Sequence, residues 1–415
     1  MNSNEIRSSF LEYFNSIGHK IIPSSSLIPH DDSLLFTAAG MVPLKDYFLG
    51  NKKTSTPNMT SSQKCIRTID IDIIGDTDRH LSFFEMLGNF SVGKYFKKEA
   101  IEYSYHYITE ILKIDKDLLW FTVYKDDDEA YKIWKDIIGV SPDRIQRGDK
   151  DNFWHMNIPG PCGPCSEIFI DRGSKYGEPG GPIGGGEDRY IEIWNLVFME
   201  SIQEAPFEIV EELPKKNIDT GMGLERIAMI MQDKDNLFDT DLFKPLYDEL
   251  NKNINNSNSK YEKIIIDHIK SSTFMISDGV VPTNEGRGYI LRRLIRRAIR
   301  AYNQINNTPS SLDYLIEIVV EIYKNSYPEL STNKNKIIKL FTKEEELFQK
   351  TLNKGIQEIT TLIENNNTVS AKDAFYLFET LGFPFELTKE ISSENNVVID
   401  DAEFLKLYDE HKMKS

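Results

Sequence analysis

The sequence predicts two structural parts, a mixed part of α-helices and β-strands over residues 1–238 and an all-helical part over residues 239–415. Short apolar runs with β-branched and aromatic residues occur in the first part, where Gly and Pro are also concentrated. Beyond residue 239, long stretches with helical apolar spacing replace them. These observations predict an α/β domain followed by a helical domain.

The elements follow from local patterns in chain order. In the first part, β-type runs lie at residues 34–37, 120–124, 167–170, 191–198 and 207–209, and helical patterns lie at 5–16 and 96–114. In the second part, amphipathic stretches predict helices at residues 260–277, 289–304, 311–325 and 335–365.

Composition excludes several classes of protein. The chain has 415 residues, of which 40% are hydrophobic, so it has enough apolar material for a core and is not disordered. No apolar run is long enough to cross a bilayer, and three cysteines cannot make a disulfide framework. We therefore expect a soluble, cytoplasmic protein with no membrane partner.

The net charge of −16 argues against nucleic acid as a partner unless the basic residues cluster. They do cluster between residues 287 and 300, a segment that contains no acid. Helical spacing places three of its six arginines on one face and two beside them. A solvated charged face is the ordinary alternative, but such faces usually mix signs, so the pattern favours contact with an RNA backbone. The six are Arg287, Arg292, Arg293, Arg296, Arg297 and Arg300.

Two segments of the first part combine residues suited to a phosphate-bearing ligand. In residues 64–96, Arg67 precedes an acidic loop, and we expect a second strand to carry Arg79, His80, Phe84 and Met86. Arginine matches phosphate through its planar fork of donors. An ordinary hairpin with surface salt bridges remains the alternative.

The second segment, residues 213–232, contains an acid, two glycines and an arginine at the start of a helical pattern. These are Asp219, Gly221, Gly223 and Arg226. A cation in the first turn of a helix opposes the macrodipole, which suggests an anionic ligand nearby. A plain strand–turn–helix junction is the alternative.

Three other patterns are weaker. Cys162 and Cys165 have the spacing of a redox pair, but a β-type run follows them, so we expect a loop at the rim of an active site. Only His155 lies near them, which is too few ligands for zinc. Residues 88–95 miss the phosphate-loop pattern by one residue, and the glycines at 180–186 predict a surface loop.

Together these segments resemble the motifs of class II aminoacyl-tRNA synthetases, and more closely those of the alanyl-tRNA synthetase family. The similarity rests on RHLSFFEMLGNFSVGKYF, DNFWHMNIPGPCGPCSEI, RYIEIWNLVFM, NIDTGMGLERIAM and DGVVPTNEGRGYILRRLIRRAIR, and it ends near LFETLGFPFELT. It implies an α+β catalytic domain around a mostly antiparallel sheet, followed by a helical tRNA-recognition domain. The implied activity is alanine–tRNA ligation with ATP and Mg²⁺. Alanine loading onto another acceptor and an inactive RNA-binding relative are the alternatives.

The resemblance also implies roles for single residues in the ATP site. Arg67 would hold the α-phosphate, and Arg226 would cover the adenine and reach the γ-phosphate. Phe84 would stack on the other face of the adenine, with Met86 at its edge. The other implied ATP-binding positions are Arg79, His80 and Gly223.

In the implied alanine site, Asp219 would accept the ammonium group, and Trp154 and Val197 would enclose the methyl group. Gly221 belongs to the same site. Glu192 and Asn195 are the candidates for Mg²⁺ and for substrate oxygens, with Glu192 as the metal ligand.

In the second part, the resemblance implies that Asn284 and an acid at Glu379 read a G·U pair in the acceptor stem of tRNA-Ala, beside the arginine helix. The family usually has Asp at the second position, so Glu379 has a different reach. Typical members continue into an editing domain with an HxxxH zinc motif, whereas the seven histidines here contain no such pair. We therefore expect no editing in cis, no structural zinc and a monomer.

Overall fold

The computed structural model describes residues 1–156, 158–306 and 310–414. By contacts the chain divides into two compact units. The first comprises residues 1–73 and 77–245, and the second comprises residues 74–76 together with residue 246 onward. The functional assignment of two domains at residue 238 stays a prediction.

The first unit is built on one sheet, which the described residues form from nine strands. They are β1 (Lys20–Ile21), β2 (Asn58–Ile66), β3 (Phe83–Val92), β4 (Leu119–Tyr124), β5 (Ile145–Gly148), β6 (Phe153–His155), β7 (Gly160–Asp171), β8 (Tyr190–Ala205) and β9 (Glu208–Gly223). Their order is β1-β2-β3-β9-β8-β7-β4-β5, with β6 paired to β7. Only the outer pairs β1–β2 and β4–β5 are parallel among these strands. The predicted α+β fold with a mostly antiparallel sheet is thus confirmed.

Short helices surround the sheet, and long ones make up the second unit. They are α1 (Ser3–Ser16), α2 (Lys45–Phe48), α3 (Lys97–His106), α4 (Asp128–Lys132), α5 (Leu224–Met231), α6 (Lys244–Lys252), α7 (Ser259–Ser277), α8 (Gly286–Ile305), α9 (Asp313–Tyr323), α10 (Glu329–Asn366), α11 (Ala371–Leu381), α12 (Phe385–Glu394) and α13 (Asp401–Lys414). None of the helices in the described part of the chain is long and apolar enough to cross a membrane.

Helix α1 shows how local sequence sets an element and fastens it to the sheet. The side chains of Asn2 and Glu5 each accept a hydrogen bond from the other's backbone N–H, which satisfies two free donors at the helix start. Farther along, Arg7 donates to both carboxylate oxygens of Glu85 on β3, at 2.8 and 2.7 Å. At the helix start, the backbone N–H of Ser3 donates to Asp241 at 2.8 Å.

Two expectations about local structure are wrong. Residues 34–37 form bends rather than a strand, because apolar composition alone supplies no pairing partner. The segment of Cys162 and Cys165 is a bulged part of β7 rather than a loop, and both thiols are buried. Its glycine is required by a close approach of strands, since a Cβ on Gly163 would stand 2.0 Å from the carbonyl oxygen of Phe198.

Candidate functional site

One pocket of the first unit lies where β2 and β9 end and β3 begins. Arg67 directly follows β2, and Gly223 ends β9 just before helix α5. The pocket contains all seven residues that the resemblance implies for ATP. Its lining consists of Arg67, Asp70, Arg79, His80, Leu81, Phe84, Met86, Glu192, Ile193, Gly221, Gly223, Glu225, Arg226 and Leu237.

Strand β3 presents two of these side chains through the two-residue alternation of a strand. Phe84 and Met86 line the pocket, whereas Glu85 between them is fully buried and pairs with Arg7 of α1. Gly221 of β9 is packed against this strand, because a Cβ there would stand 2.8 Å from the sulfur of Met86. A side chain at position 221 would therefore displace Met86.

Two of the guanidinium groups in the pocket, those of Arg67 and Arg226, have partners within it. The Arg67 guanidinium carbon lies over the ring of Phe84, 4.9 Å from the ring centroid. Arg226 Nη1 donates to the backbone oxygen of Glu192 at 3.2 Å and lies 3.4 Å from its carboxylate. Arg67 therefore covers one face of the Phe84 ring. An aromatic base can stack on that face only after the guanidinium moves aside.

The structure corrects the expected placement of two residues. Arg79 and His80 lie in the loop before β3 rather than on the strand. Arg79 is paired with the two acids that directly follow the glycines at 180–186, at 2.5 Å from Glu187 and 2.8 Å from Asp188. The imidazole Nδ1 of His80 hydrogen-bonds with the hydroxyl of Thr77 at 2.8 Å. Burial lowers the pKa of His80, which favours the neutral ring.

Next to this pocket, two neighbouring strands carry the residues expected to bind alanine. Asn195 pairs with Gly221, and Val197 pairs with Asp219 across β8 and β9, so all four lie on one face of the sheet. Trp154 packs against the buried apolar cluster that includes Val197. The structure thus brings the predicted alanine-site residues together.

This face contains two acceptors that lack a donor. Asn195 Oδ1 and Asp219 Oδ1 are both buried and make no hydrogen bond within the described chain. Burial raises the pKa of Asp219 from 3.8 to about 7. Buried acceptors normally have partners. The arrangement is therefore suited to a ligand that only donates, such as an ammonium group.

Sequence analysis missed the residue behind Asn195. Glu167 of β7 accepts hydrogen bonds from Thr122 at 3.0 Å and Asn152 at 3.1 Å, and its other oxygen has a long contact of 3.5 Å with Asn195 Nδ2. Burial and the nearby Glu192 carboxylate raise the pKa of Glu167. The only signal in the sequence was a polar residue in an otherwise apolar run.

For a metal, the pocket lining offers three carboxylates, Asp70, Glu192 and Glu225, of which Glu225 is buried and accepts a hydrogen bond from the backbone N–H of Glu85. No group of three or more His, Cys, Asp or Glu side chains suitable for a metal occurs in residues 1–156, 158–306 and 310–414. Magnesium usually takes one or two protein carboxylates and completes its shell with substrate phosphates and water. Glu192, which is about one-third exposed at the pocket, suits that mode of binding.

The interpretation of α8 as an open basic face is wrong for four of its six arginines. Their side chains are buried: Arg293, Arg296, Arg297 and Arg300. Carboxylates from distant parts of the sequence pair with most of the arginines of α8. The sequence close to α8 could not reveal these partners. Arg287 and Arg292 are half-buried.

Two helices supply those carboxylates. Glu344 of α10 is buried, accepts from Arg296 at 2.7 Å and lies 3.0 Å from Arg292. Glu390 and Glu394 of α12 pair with Arg300 at 3.1 and 2.6 Å.

The two residues expected to read a base pair are exposed in this unit. Arg292 donates to Asn284 Oδ1. Because arginine is only a donor, this contact directs the amide NH₂ of Asn284 away from the guanidinium. Arg296 donates to the carbonyl of Gly382, three residues after the exposed Glu379. Glu344 thus links the two arginines that contact these two segments.

A pocket lined by arginines and an aromatic ring, on a mostly antiparallel sheet, is what the resemblance to class II aminoacyl-tRNA synthetases implies. Residues 5–415 match the family model described as tRNA synthetases class II (A). The chain belongs to this family, which confirms the family resemblance.

Curated relatives named alanine–tRNA ligase match the whole chain. That of Fusobacterium nucleatum is 47% identical over 430 residues, covering 100% of this chain and 50% of the relative. Those of Caldicellulosiruptor saccharolyticus and Corynebacterium glutamicum are 46% and 44% identical, each with 100% and 49% coverage. The chain spans about half the length of these relatives.

Solved structures are more distant. A pyrrolysyl-tRNA synthetase from Desulfitobacterium hafniense is 12% identical, with a TM-score of 0.32 over 58% of this chain and 72% of that one. A histidyl-tRNA synthetase from S. aureus is also 12% identical, with a TM-score of 0.37 over 57% and 67%.

Proposed function

We propose that this chain is the alanine-activating and tRNA-recognising part of an alanine–tRNA ligase. A carboxylate oxygen of alanine attacks the α-phosphorus of ATP, which forms alanyl-adenylate and releases pyrophosphate. A ribose hydroxyl of the terminal adenosine of tRNA-Ala then attacks the acyl carbon and releases AMP. The identity of 44–47% to curated relatives of that name supports the proposal.

The observation that carries the alanine assignment is the pair of buried acceptors without a donor, Asp219 Oδ1 and Asn195 Oδ1. An ammonium group supplies several N–H donors and neutralises the carboxylate. Val197 and Trp154, which belong to or pack against the same buried cluster, then face the methyl group of alanine.

ATP occupies the adjoining pocket. Arg67 leaves the ring of Phe84 to bind the α-phosphate, and the adenine replaces it on the aromatic face. Arg226 covers the opposite face of the adenine, and Glu192 would hold Mg²⁺, which would neutralise charge on the phosphates. Catalysis of this kind depends on positioning and neutralisation of charge rather than on a protein nucleophile.

The arginine helix has a revised role in tRNA recognition. Asn284, Glu379, Arg287 and Arg292 remain the groups proposed to contact the acceptor stem, because each is at least partly exposed. The four buried arginines of α8 stabilise the helical unit and, through Arg296, the segment after Glu379. The amide NH₂ of Asn284 is a donor, and the Glu379 carboxylate is an acceptor for the amino group of guanine.

The first test is alanine-dependent exchange of pyrophosphate into ATP, followed by charging of two tRNA-Ala transcripts. One transcript carries the acceptor-stem G·U pair and the other carries G·C. We expect exchange, and charging of the G·U form only. Exchange with serine or glycine in place of alanine, but not with alanine, would refute the assignment of substrate. Equal charging of both transcripts would refute the roles of Asn284 and Glu379.

A further inference from the structure

A second cavity of the first unit, of about 420 Å³, has a lining that no role above uses. It lies between the turn after α2, the end of β3 and the middle of β9. Its lining consists of Tyr47, Phe48, Gly50, Lys52, Lys53, Thr54, Pro57, Val92, Gly93, Lys94, Pro214 and Lys215. We call it the lysine pocket.

The charge of the lysine pocket is opposite to that of the chain. Four lysines line it and no acid does, although the protein carries a net charge of −16. Lys52 is paired with Asp46 at 2.7 Å. The amino groups of Lys53, Lys94 and Lys215 have no carboxylate partner in the part of the chain that the structure describes. Clustered cations without counter-charges create a local positive potential that attracts anions.

The backbone around the lysine pocket is held in place. Gly93 has a φ of +68°, and a Cβ there would stand 2.6 Å from the side chain of Lys215, so this side chain packs across the glycine. The hydroxyl of Ser91 accepts from the N–H groups of the two residues that follow Gly93, at 3.1 and 2.9 Å. Asn217 Nδ2 donates to the carbonyls of Phe48 and Lys215 at 3.1 and 3.0 Å, which ties the turn after α2 to β9.

The position of the lysine pocket excludes the phosphates of the ATP in the first pocket as its ligand. Six residues of β3 separate Met86 from Val92, which is about 20 Å along a strand. The lysine pocket does adjoin the alanine side, since Phe48 and Val92 belong to the same buried cluster as Val197. The exposed lysines of the pocket are therefore accessible to the phosphates that precede the last ribose of an RNA bound at the alanine site.

The chemistry of the lining suits single-stranded RNA. Lysine ammonium groups are point charges that neutralise phosphates without demanding one geometry. The half-buried ring of Tyr47 adds a surface on which a base can stack, and a basic groove with an aromatic platform is typical of proteins that bind single strands.

We propose that the lysine pocket binds the phosphodiester backbone of the single-stranded 3′ end of tRNA, through Lys53, Lys94 and Lys215, with Tyr47 as the stacking platform. This proposal rests on the proposed function and adds an RNA-binding site on the sheet unit.

The test compares a double variant, Lys94→Gln/Lys215→Gln, with a control of equal charge change, Lys116→Gln/Lys132→Gln, whose lysines are exposed outside the pocket. Direct binding of tRNA-Ala is measured between 50 and 300 mM salt. Counterion release predicts that losing two contacts to a single strand lowers the slope of log K against log salt by about 1.4 and weakens binding at 0.1 M by roughly 25-fold. The control should match the original chain.

Two further measurements separate the outcomes. With a tRNA trimmed of its single-stranded 3′ end, the difference between the double variant and the original chain should disappear. A difference that persists with trimmed tRNA, or affinity and slope unchanged with the full tRNA, would overturn the proposal. Alanine-dependent pyrophosphate exchange should be unaffected, and a selective loss of ATP affinity would assign the pocket to nucleotide instead. Absence of exchange in the original chain would refute the proposed function, while the binding comparison would still decide on the lysine pocket.

Discussion

Replacing Asp219 by Asn should make the fold more stable at high pH, relative to the original chain, while it removes most alanine binding. The carboxylate is buried with an oxygen that lacks a hydrogen bond, and burial raises its pKa from 3.8 to about 7. Because the folded pKa lies above the unfolded one, ionisation destabilises the fold, and stability is lost as pH rises from about 4 to about 7. Linkage gives a loss of about 2.5 kcal/mol between pH 5 and pH 8, and an amide at this position does not titrate.

The same substitution should abolish most alanine binding. Removing one partner of a buried ion pair costs about 3–5 kcal/mol, which corresponds to a roughly 150- to 5,000-fold rise in the KM for alanine. The KM for ATP should change little, because Asp219 does not line the pocket proposed to bind ATP.

The assay combines urea unfolding at pH 5 and pH 8 with pyrophosphate exchange at varied alanine concentration. Asp233→Asn is the matched control, since Asp233 is exposed. We expect Asp219→Asn to gain stability relative to the original chain as the pH rises. A stability difference independent of pH would refute the account of the buried carboxylate. A rise in the KM for alanine below tenfold would refute its pairing with the ammonium group.

Other substitutions test the remaining interactions. Arg296→Ala should lower the free energy of unfolding by about 3–5 kcal/mol, because the buried Glu344 carboxylate loses its buried arginine partner and keeps only the half-buried Arg292. A loss below about 1 kcal/mol in urea unfolding would contradict this. Gly163→Ala should cost at least about 1–3 kcal/mol from overpacking against a carbonyl that cannot move freely, and an unchanged Tm would contradict it. Phe84→Leu should raise the KM for ATP about 2- to 10-fold through the loss of aromatic stacking, with the KM for alanine unchanged. The thiol of Cys165, whose pKa is raised by burial, should react with a thiol reagent only after unfolding.

The long periodic elements of this fold were predictable from sequence, because their spacing encodes which side faces the core. Residues 260–277, for example, predict a helix, and the structure has α7 at Ser259–Ser277. The run at 34–37 was not predictable in the same way, since a strand needs a partner that a run of four residues does not specify.

The residues of the candidate site were likewise predictable only in part. Recognisable motifs predicted the pocket residues, because these residues fall in two short segments of the sequence, 67–86 and 192–237. The pairing of Arg296 with Glu344 depends on a contact 48 residues apart, and the support of Asn195 by Glu167 depends on strand register. Contacts of this kind are set by tertiary packing, which local composition does not record.

The bond between Arg7 and Glu85 has a practical consequence for anyone who trims or tags the chain. Strand β3 carries Phe84 and Met86 on one side, and on the other it is fastened to a helix that starts at the third residue of the protein. Deleting the first seven residues would remove none of the groups that line the pocket proposed to bind ATP, yet it would leave the buried Glu85 carboxylate behind them without its arginine partner. Nucleotide affinity is therefore expected to respond to manipulation of the extreme N-terminus, even though the two lie on opposite faces of the sheet.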